Sequence, residues 1–324
     1  MSQDREPATA ADVIGCYRLL LGRAPESEAV VAQHLADRPS LGALRRRFME
    51  SPEFQAGPPP PRPTTVPLLL PPPPIEVAAP PAALAQLLAR IGGYWTALGQ
   101  EAPHWSVLTQ ERFRPGQLAD HEAAFWATGK AERDLLLGML RRHGLQAVAR
   151  GTCLEFGCGV GRVTLALAPH VGRIIGCDIS RAHLGLAAAR RAALGLQAEW
   201  FQSTIEAPMP PGDWDIWFSC LVLQHNPPPV ITHLLRLAFD GLRPGGVALF
   251  QALVHRDGYA YALDEDLAGQ GPPRMEIHVI PQAEVLRIAR QAGLHLVELR
   301  DDSHHHLARP DRTISNLFLF QRPV

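Results

Sequence analysis

Thr152-Cys153-Leu154-Glu155-Phe156-Gly157-Cys158-Gly159-Val160-Gly161-Arg162 decides the fold. A short apolar run ends in an acid, glycines recur at alternate positions, and a helical pattern begins at Arg162. This order reads as strand, tight turn and helix, the opening unit of a nucleotide-binding α/β sheet. Glycine is needed where a backbone turns with φ > 0 or lies against a ligand with no Cβ in the way. The dinucleotide fingerprint wants its third glycine one place later, where Arg162 stands, which disfavours a nicotinamide dehydrogenase.

Outward from this turn, apolar runs alternate with helical periods. Strands are expected near 152–156, 173–178, 197–202, 214–221 and 247–253, with helices near 162–169, 181–194 and 228–241. A longer irregular stretch, a helix near 282–292 and two closing strands near 295–300 and 314–321 complete the pattern. Such alternation implies a parallel sheet covered on both faces.

Three features sharpen the glycine turn. Asp178 ends the second strand, about 20 residues on, where an acid is placed to accept hydrogen bonds from ribose hydroxyls. Glu155 ends the first strand just before the turn, where a carboxylate suits a cationic part of a ligand better than a phosphate. Gly241-Leu242-Arg243-Pro244-Gly245-Gly246 leads directly into a strongly apolar strand.

Together these residues resemble the class I S-adenosylmethionine-dependent methyltransferases over about residues 120–324. The resemblance implies a Rossmann-like, doubly wound α/β fold whose seven-stranded sheet has an antiparallel last strand. It implies that Gly157, Cys158, Gly159 and Gly161 line the methionine moiety of S-adenosyl-L-methionine and Glu155 holds its ammonium end. It also implies that Asp178 binds the ribose and Ile179 packs on the adenine. After the third strand the family often carries an Asp for the adenine amino group. Here Thr204 stands in that place with Glu206 two positions on, so the hydroxyl of Thr204, Glu206 or the backbone of Ile205 would serve the ring. Cys220, at the end of the fourth strand, completes the expected cofactor-binding set.

Methyl transfer from a sulfonium is an in-line displacement, and a hydroxyl acceptor profits from a base of near-neutral pKa. His225, in Leu223-Gln224-His225, is the first candidate, because related methyltransferases carry a Leu-x-His stretch at this strand end. His278 is the second, with Glu276 and His255 behind it, since loops at the carboxyl edge of such a sheet form the acceptor pocket. Asn226-Pro227-Pro228 looks like the Asn-Pro-Pro-aromatic motif of amino-group methyltransferases but lacks the aromatic. An Asn226 helix cap followed by first-turn prolines accounts for these residues.

Residues 1–56 read as a small helical module, with Val13, Ile14, Tyr17, Leu20 and Leu21 on one face and Leu41, Leu44, Phe48 and Met49 on a second. Tyr17-Arg18-Leu19-Leu20-Leu21-Gly22-Arg23-Ala24-Pro25 and the closing Ser51-Pro52-Glu53-Phe54 resemble a bacterial domain of unknown function related to phycobilisome linkers. That resemblance implies a docking module, with a possible protein partner, often fused to surface-glycan enzymes. Residues 57–81 hold twelve prolines and read as an extended, semi-rigid linker. Residues 82–149 form a helical segment ahead of the sheet domain of 150–324. Within it Trp95, His104, Trp105, Ser106 and Arg114 fall in a turn-rich stretch placed to cover the site as a lid.

Lys+Arg 31 against Asp+Glu 32 gives a net charge of -1, which offers no global basic field for nucleic acid. No apolar run approaches the roughly 20 residues of a membrane span, and no secretory signal is visible. Five cysteines (16, 153, 158, 177, 220) read as free thiols of a reducing, cytoplasmic compartment. No metal site is expected. Cys153 and Cys158 do not converge, and the adjacent histidines His304, His305 and His306 cannot all meet one ion. The expected activity is methyl transfer to a hydroxyl of a sugar or glycan intermediate. A quinone-like or secondary-metabolite hydroxyl is the first alternative, and a non-catalytic binding protein the second.

Overall fold

A computed structural model describes residues 6–21, 23–55, 74–269, 274–302 and 313–324. The expected linker between 57 and 73 and the His304–His306 tract lie outside these residues. The chain divides into two units, Met1–Arg62 and Pro63–Val324.

In the first unit, α1 (Ala10–Leu20) starts at a capping box in which Thr9 and Asp12 each satisfy the other's backbone N–H. Ser27 and Ser40 cap α2 (Glu28–Leu35) and α3 (Leu41–Met49), and a short α4 (Pro52–Gln55) follows. Val13, Tyr17, Val31, Leu44 and Phe48 make its small core.

The second unit opens with three helices, α5 (Pro81–Glu101), α6 (Pro103–Val107) and α7 (Leu118–Arg142). Then come β1 (Thr152–Phe156), α8 (Arg162–Leu167), β2 (Arg173–Asp178), α9 (Arg181–Leu194), β3 (Glu199–Gln202) and β4 (Trp214–Ser219). The unit closes with α10 (Pro228–Asp240), β5 (Leu242–His255), α11 (Leu263–Ala268), α12 (Gln282–Gln291), β6 (His295–Asp301) and β7 (Ile314–Gln321).

The seven strands form one sheet in the order β3-β2-β1-β4-β5-β7-β6. β1 pairs parallel with β2 and β4, and β7 runs antiparallel to both β5 and β6, as expected. Strand order reverses between β1 and β4, so the loops leaving their carboxyl ends diverge and open a crevice. Period-two alternation divides the core between the faces. Leu154, Trp217, Phe250 and Phe318 pack under α10, α12 and α5, while Cys153, Ile216, Phe218 and Leu249 pack under α7 and α8. Phe250 and Phe318, paired in register, stack at 5.1 Å.

Two local expectations are corrected. Trp95 does not lie in a turn-rich stretch, because α5 runs unbroken for 21 residues. Gly92 and Gly99 are close approaches instead of breaks: a Cβ at Gly92 would sit 3.1 Å from Ile179, and one at Gly99 would sit 2.2 Å from the Ser180 hydroxyl. Nor does Asn226 cap α10. The residue before that helix is Pro227, and prolines at its first two positions remove donors a cap would have served. The Asn226 amide donates to the carbonyl oxygens of Val222 and Leu223, at 2.9 and 3.4 Å, and closes the 3₁₀ turn Leu223–His225.

Candidate functional site

The turn after β1 is shaped by what its glycines exclude. Gly157 and Gly159 have φ of 74° and 54°, in the left-handed region that penalises side chains. A Cβ at Gly157 would lie 2.4 Å from Val222, and one at Gly159 would lie 2.5 Å from Val107. The N–H groups of Gly157 and Cys158 both donate to the Cys177 carbonyl, which pins the turn to the end of β2. There Asp178 accepts from the Gly159 N–H through Oδ2 and from the Ser180 N–H through Oδ1, each at 2.8 Å. Each oxygen keeps a second lone-pair site for a ligand hydroxyl.

Below the turn lies a buried ionic group. Glu155 accepts a short hydrogen bond from the Thr164 hydroxyl, and burial pushes its pKa up to about 7. Arg162, 5 % exposed, reaches back from α8 to Glu132 of α7 (3.2 Å) and the Thr128 hydroxyl (3.4 Å). The charge of Arg162 favours the ionised form of Glu155, while those of Glu132 and Asp178 oppose it. A buried carboxylate held near neutrality is a site prepared for a cation.

One cavity is lined by Glu155, Gly157, Cys158, Gly159, Asp178, Ile179, Thr204, Cys220 and His225. Its cover comes from Leu88, Ile91 and Trp95 of α5 and Ser106 and Val107 of α6. His183, at the start of α9, ties that cover to the end of β2: its Nε2 lies 2.8 Å from the Ser106 hydroxyl and 3.1 Å from the Pro103 carbonyl.

His225 stands at the end of the 3₁₀ turn after β4. Its ring meets Trp95 edge-on at 5.2 Å, and its Nδ1 lies 3.0 Å from the Glu276 carbonyl oxygen. A carbonyl only accepts, so Nδ1 carries the proton and the neutral ring holds its lone pair on Nε2. That nitrogen has the Gln224 amide nitrogen 3.5 Å away.

His278 is elsewhere. Its two ring nitrogens meet the Tyr259 hydroxyl at 2.8 Å and the Glu276 carboxylate at 3.0 Å, with Tyr261 edge-on at 5.9 Å, and it does not line the cavity. The His278 bond holds Glu276 below the usual carboxylate range. Arg90 of α5 extends this cluster to Asp266, at 2.8 Å, and so ties the covering helix to the segment after β5. His255 pairs with Asp257 at 2.9 Å, also away from the cavity.

The remaining expected contacts divide. Gly161, at φ 79°, caps α8 against Trp200 and Ala187 and does not reach the cavity wall. The Thr204 hydroxyl oxygen is used locally, accepting from the Ala207 N–H at 3.0 Å. Ile205 and Glu206 are exposed outside the lining. Sequence reasoning missed His183 and Glu132. The second was findable, since Phe125, Gly129, Glu132 and Leu136 follow helical spacing along the buried face of α7. No group of His, Cys, Asp and Glu able to hold a metal exists among the described residues.

These residues fit S-adenosyl-L-methionine. The glycine turn has no space for side chains, Asp178 retains acceptor capacity, and Glu155 offers a buried partner for an ammonium. Comparison with known proteins agrees. Residues 153–246 match the family described as a methyltransferase domain. A ubiquinone biosynthesis O-methyltransferase of Aeromonas salmonicida is 29% identical over 179 residues, covering 53% of this chain and 71% of that protein. Its namesake in Burkholderia pseudomallei is 26% identical over 164 residues, covering 48% and 69%. The structure of magnesium protoporphyrin IX methyltransferase from Synechocystis with bound SAH is similar in fold, with a TM-score of 0.51 at 16% identity over 72% of this chain and 99% of that one.

Proposed function

We propose that this chain, an S-adenosylmethionine-dependent methyltransferase, transfers the methyl group to a hydroxyl of a small, largely apolar acceptor such as a quinone-like phenol. The observation that carries the reading is His225, which lines the same cavity as the glycine turn and Asp178 and has its Nδ1 engaged by the Glu276 carbonyl. The cofactor supplies an electrophilic methyl group when bound. Asp178 and the glycine turn orient it, and Glu155 accepts its ammonium end. His225 would accept the acceptor's hydroxyl proton at Nε2 as its oxygen bonds to the methyl carbon, the carbon–sulfur bond breaks and the sulfur leaves as the neutral thioether. Leu88, Ile91, Trp95 and Val107 exclude water and present an apolar surface.

That wall supports a phenolic acceptor over the sugar favoured from sequence, because a sugar brings several hydroxyls that each need a buried partner. The names of the Aeromonas and Burkholderia relatives point the same way. The test is methyl transfer from radiolabelled S-adenosylmethionine to parallel panels of catechols and sugars. Phenolic incorporation that His225→Ala lowers about 10²-fold or more supports the reading. Incorporation into sugars alone overturns it. Residues 1–56 serve as a docking module in this reading, which deletion checks by leaving methyl transfer to a soluble catechol intact.

A further inference from the structure

β5 carries one polar residue through an otherwise apolar run: Gln251, 1 % exposed, lies between Val247–Phe250 and Ala252–Leu253. A buried amide left without partners is strongly unfavourable, so its bonds say what it is for. Its Oε1 accepts from the Leu221 N–H at 3.1 Å. Its Nε2 donates to the Ser315 hydroxyl at 2.7 Å and to Gln224 Oε1 at 3.2 Å. Ser315 in turn donates to Asp302 at 2.9 Å. Both ends of the amide are thus committed, with a carboxylate anchoring the donor end.

The bond to Leu221 is the informative one. Leu221 has φ 61°, a left-handed conformation that penalises a residue with a Cβ unless its surroundings hold it there. The kink turns the chain from β4 into the segment that lines the cavity. It presses Val222 against Gly157, and it starts the 3₁₀ turn that carries Gln224 and His225. Gln224 is bonded to the same amide and also receives the His278 N–H on its carbonyl at 2.7 Å.

We propose that Gln251 is a positioning residue whose amide holds Leu221 in its left-handed conformation and thereby sets Val222 against the glycine turn and His225 within reach of the acceptor. Its role in turnover rests on the reading of His225 as proton acceptor. The decisive measurement needs no acceptor, so failure of that reading leaves this one separately testable. In the full chain labelled with ¹⁵N-histidine, His225 is assigned by the signal lost in His225→Asn and gives the Nδ1–H tautomer pattern. Gln251→Leu shifts that pattern toward the Nε2–H tautomer and weakens S-adenosylhomocysteine binding about tenfold, read by calorimetry. Adding Leu221→Gly to Gln251→Leu restores most of both, because glycine accepts φ 61° without help. A residue that only fills the core would show no such rescue. If Gln251→Leu does not give a cooperative melt, Ser315→Ala, which frees the donor end, shows a smaller shift in the same direction. An unchanged His225 pattern in whichever of these variants folds, or a Gln251→Leu defect that Leu221→Gly leaves untouched, overturns the proposal.

Discussion

Glu155 couples ligand charge to pH. Its pKa, pushed by burial to about 7, means that the carboxyl holds a proton below neutrality and must lose it to receive an ammonium. Thr164, Arg162, Glu132 and Asp178 are the groups that face it. Binding therefore releases a proton below pH 7. The affinity for S-adenosylhomocysteine, measured by calorimetry between pH 8 and pH 5.5, weakens as pH falls, approaching about tenfold per unit well below 7. Glu155→Gln flattens that profile and lowers affinity at pH 8. The ligand-free protein has the opposite dependence. A carboxyl whose folded pKa is raised favours folding while protonated, and that contribution is lost as pH rises from the usual 4.5 toward 7. At Gly159 the requirement is steric. Its positive φ and the nearby Val107 methyl predict that Gly159→Ala costs at least about tenfold in S-adenosylhomocysteine affinity while the melting curve stays cooperative.

At the scale of elements, α7 and α8 touch so closely that a Cβ at Gly129 would fall 2.1 Å from the Arg162 carbonyl. The Arg162–Glu132 pair lies across this contact and is 5 % exposed on both sides. Arg162→Leu removes the buried guanidinium that faces Glu132 and Glu155 and should cost about 3–5 kcal/mol in chemical denaturation at pH 8. The loss shrinks toward pH 5 as Glu155 takes up its proton, and Glu132→Leu added to Arg162→Leu recovers much of it. A loss equal at both pH values would mean that packing, not charge, sets the cost. The cover over the cavity depends on a comparable approach. Gly99 of α5 lies against Ser180 and His183, so Gly99→Leu lifts the helix that carries Leu88, Ile91 and Trp95. Weaker S-adenosylhomocysteine binding with the sheet's thermal transition retained is the expected result.

For the whole molecule, what the sequence revealed followed from how local each cause is. Strand–turn–helix order around 152–162 depends on neighbours in the chain, and every expected strand from β1 to β7 is present. His278 shows the limit: its place in the loop past β5 makes it the second candidate for chemistry, whereas Tyr259 and Glu276 occupy its ring. Those contacts depend on the path of the segment after β5, which no spacing in the sequence encodes. The same holds for Gln251, whose partners come from two separate stretches of chain, and for Gly92 and Gly99 of α5, which make sense only against Ile179, Ser180 and His183. The boundary between the two units carries a consequence of the same kind. Pro74–Glu76 is tied into the second unit: the Tyr261 N–H donates to the Pro74 carbonyl and the Glu76 N–H to the Tyr261 carbonyl, both at 3.0 Å, while the Glu76 carboxylate accepts from the Leu263 N–H at 2.6 Å. Tyr261 also donates to Asp266, the partner of Arg90 on α5. A fragment starting at residue 63 should therefore keep the thermal transition and S-adenosylhomocysteine affinity of the second unit. One starting at residue 80 removes these three hydrogen bonds next to the cluster that secures α5. It should melt several degrees lower and bind more weakly, a difference that calorimetry on the two fragments reads directly. Equal melting and binding would show that Arg90 and Asp266 hold the cover without the preceding segment.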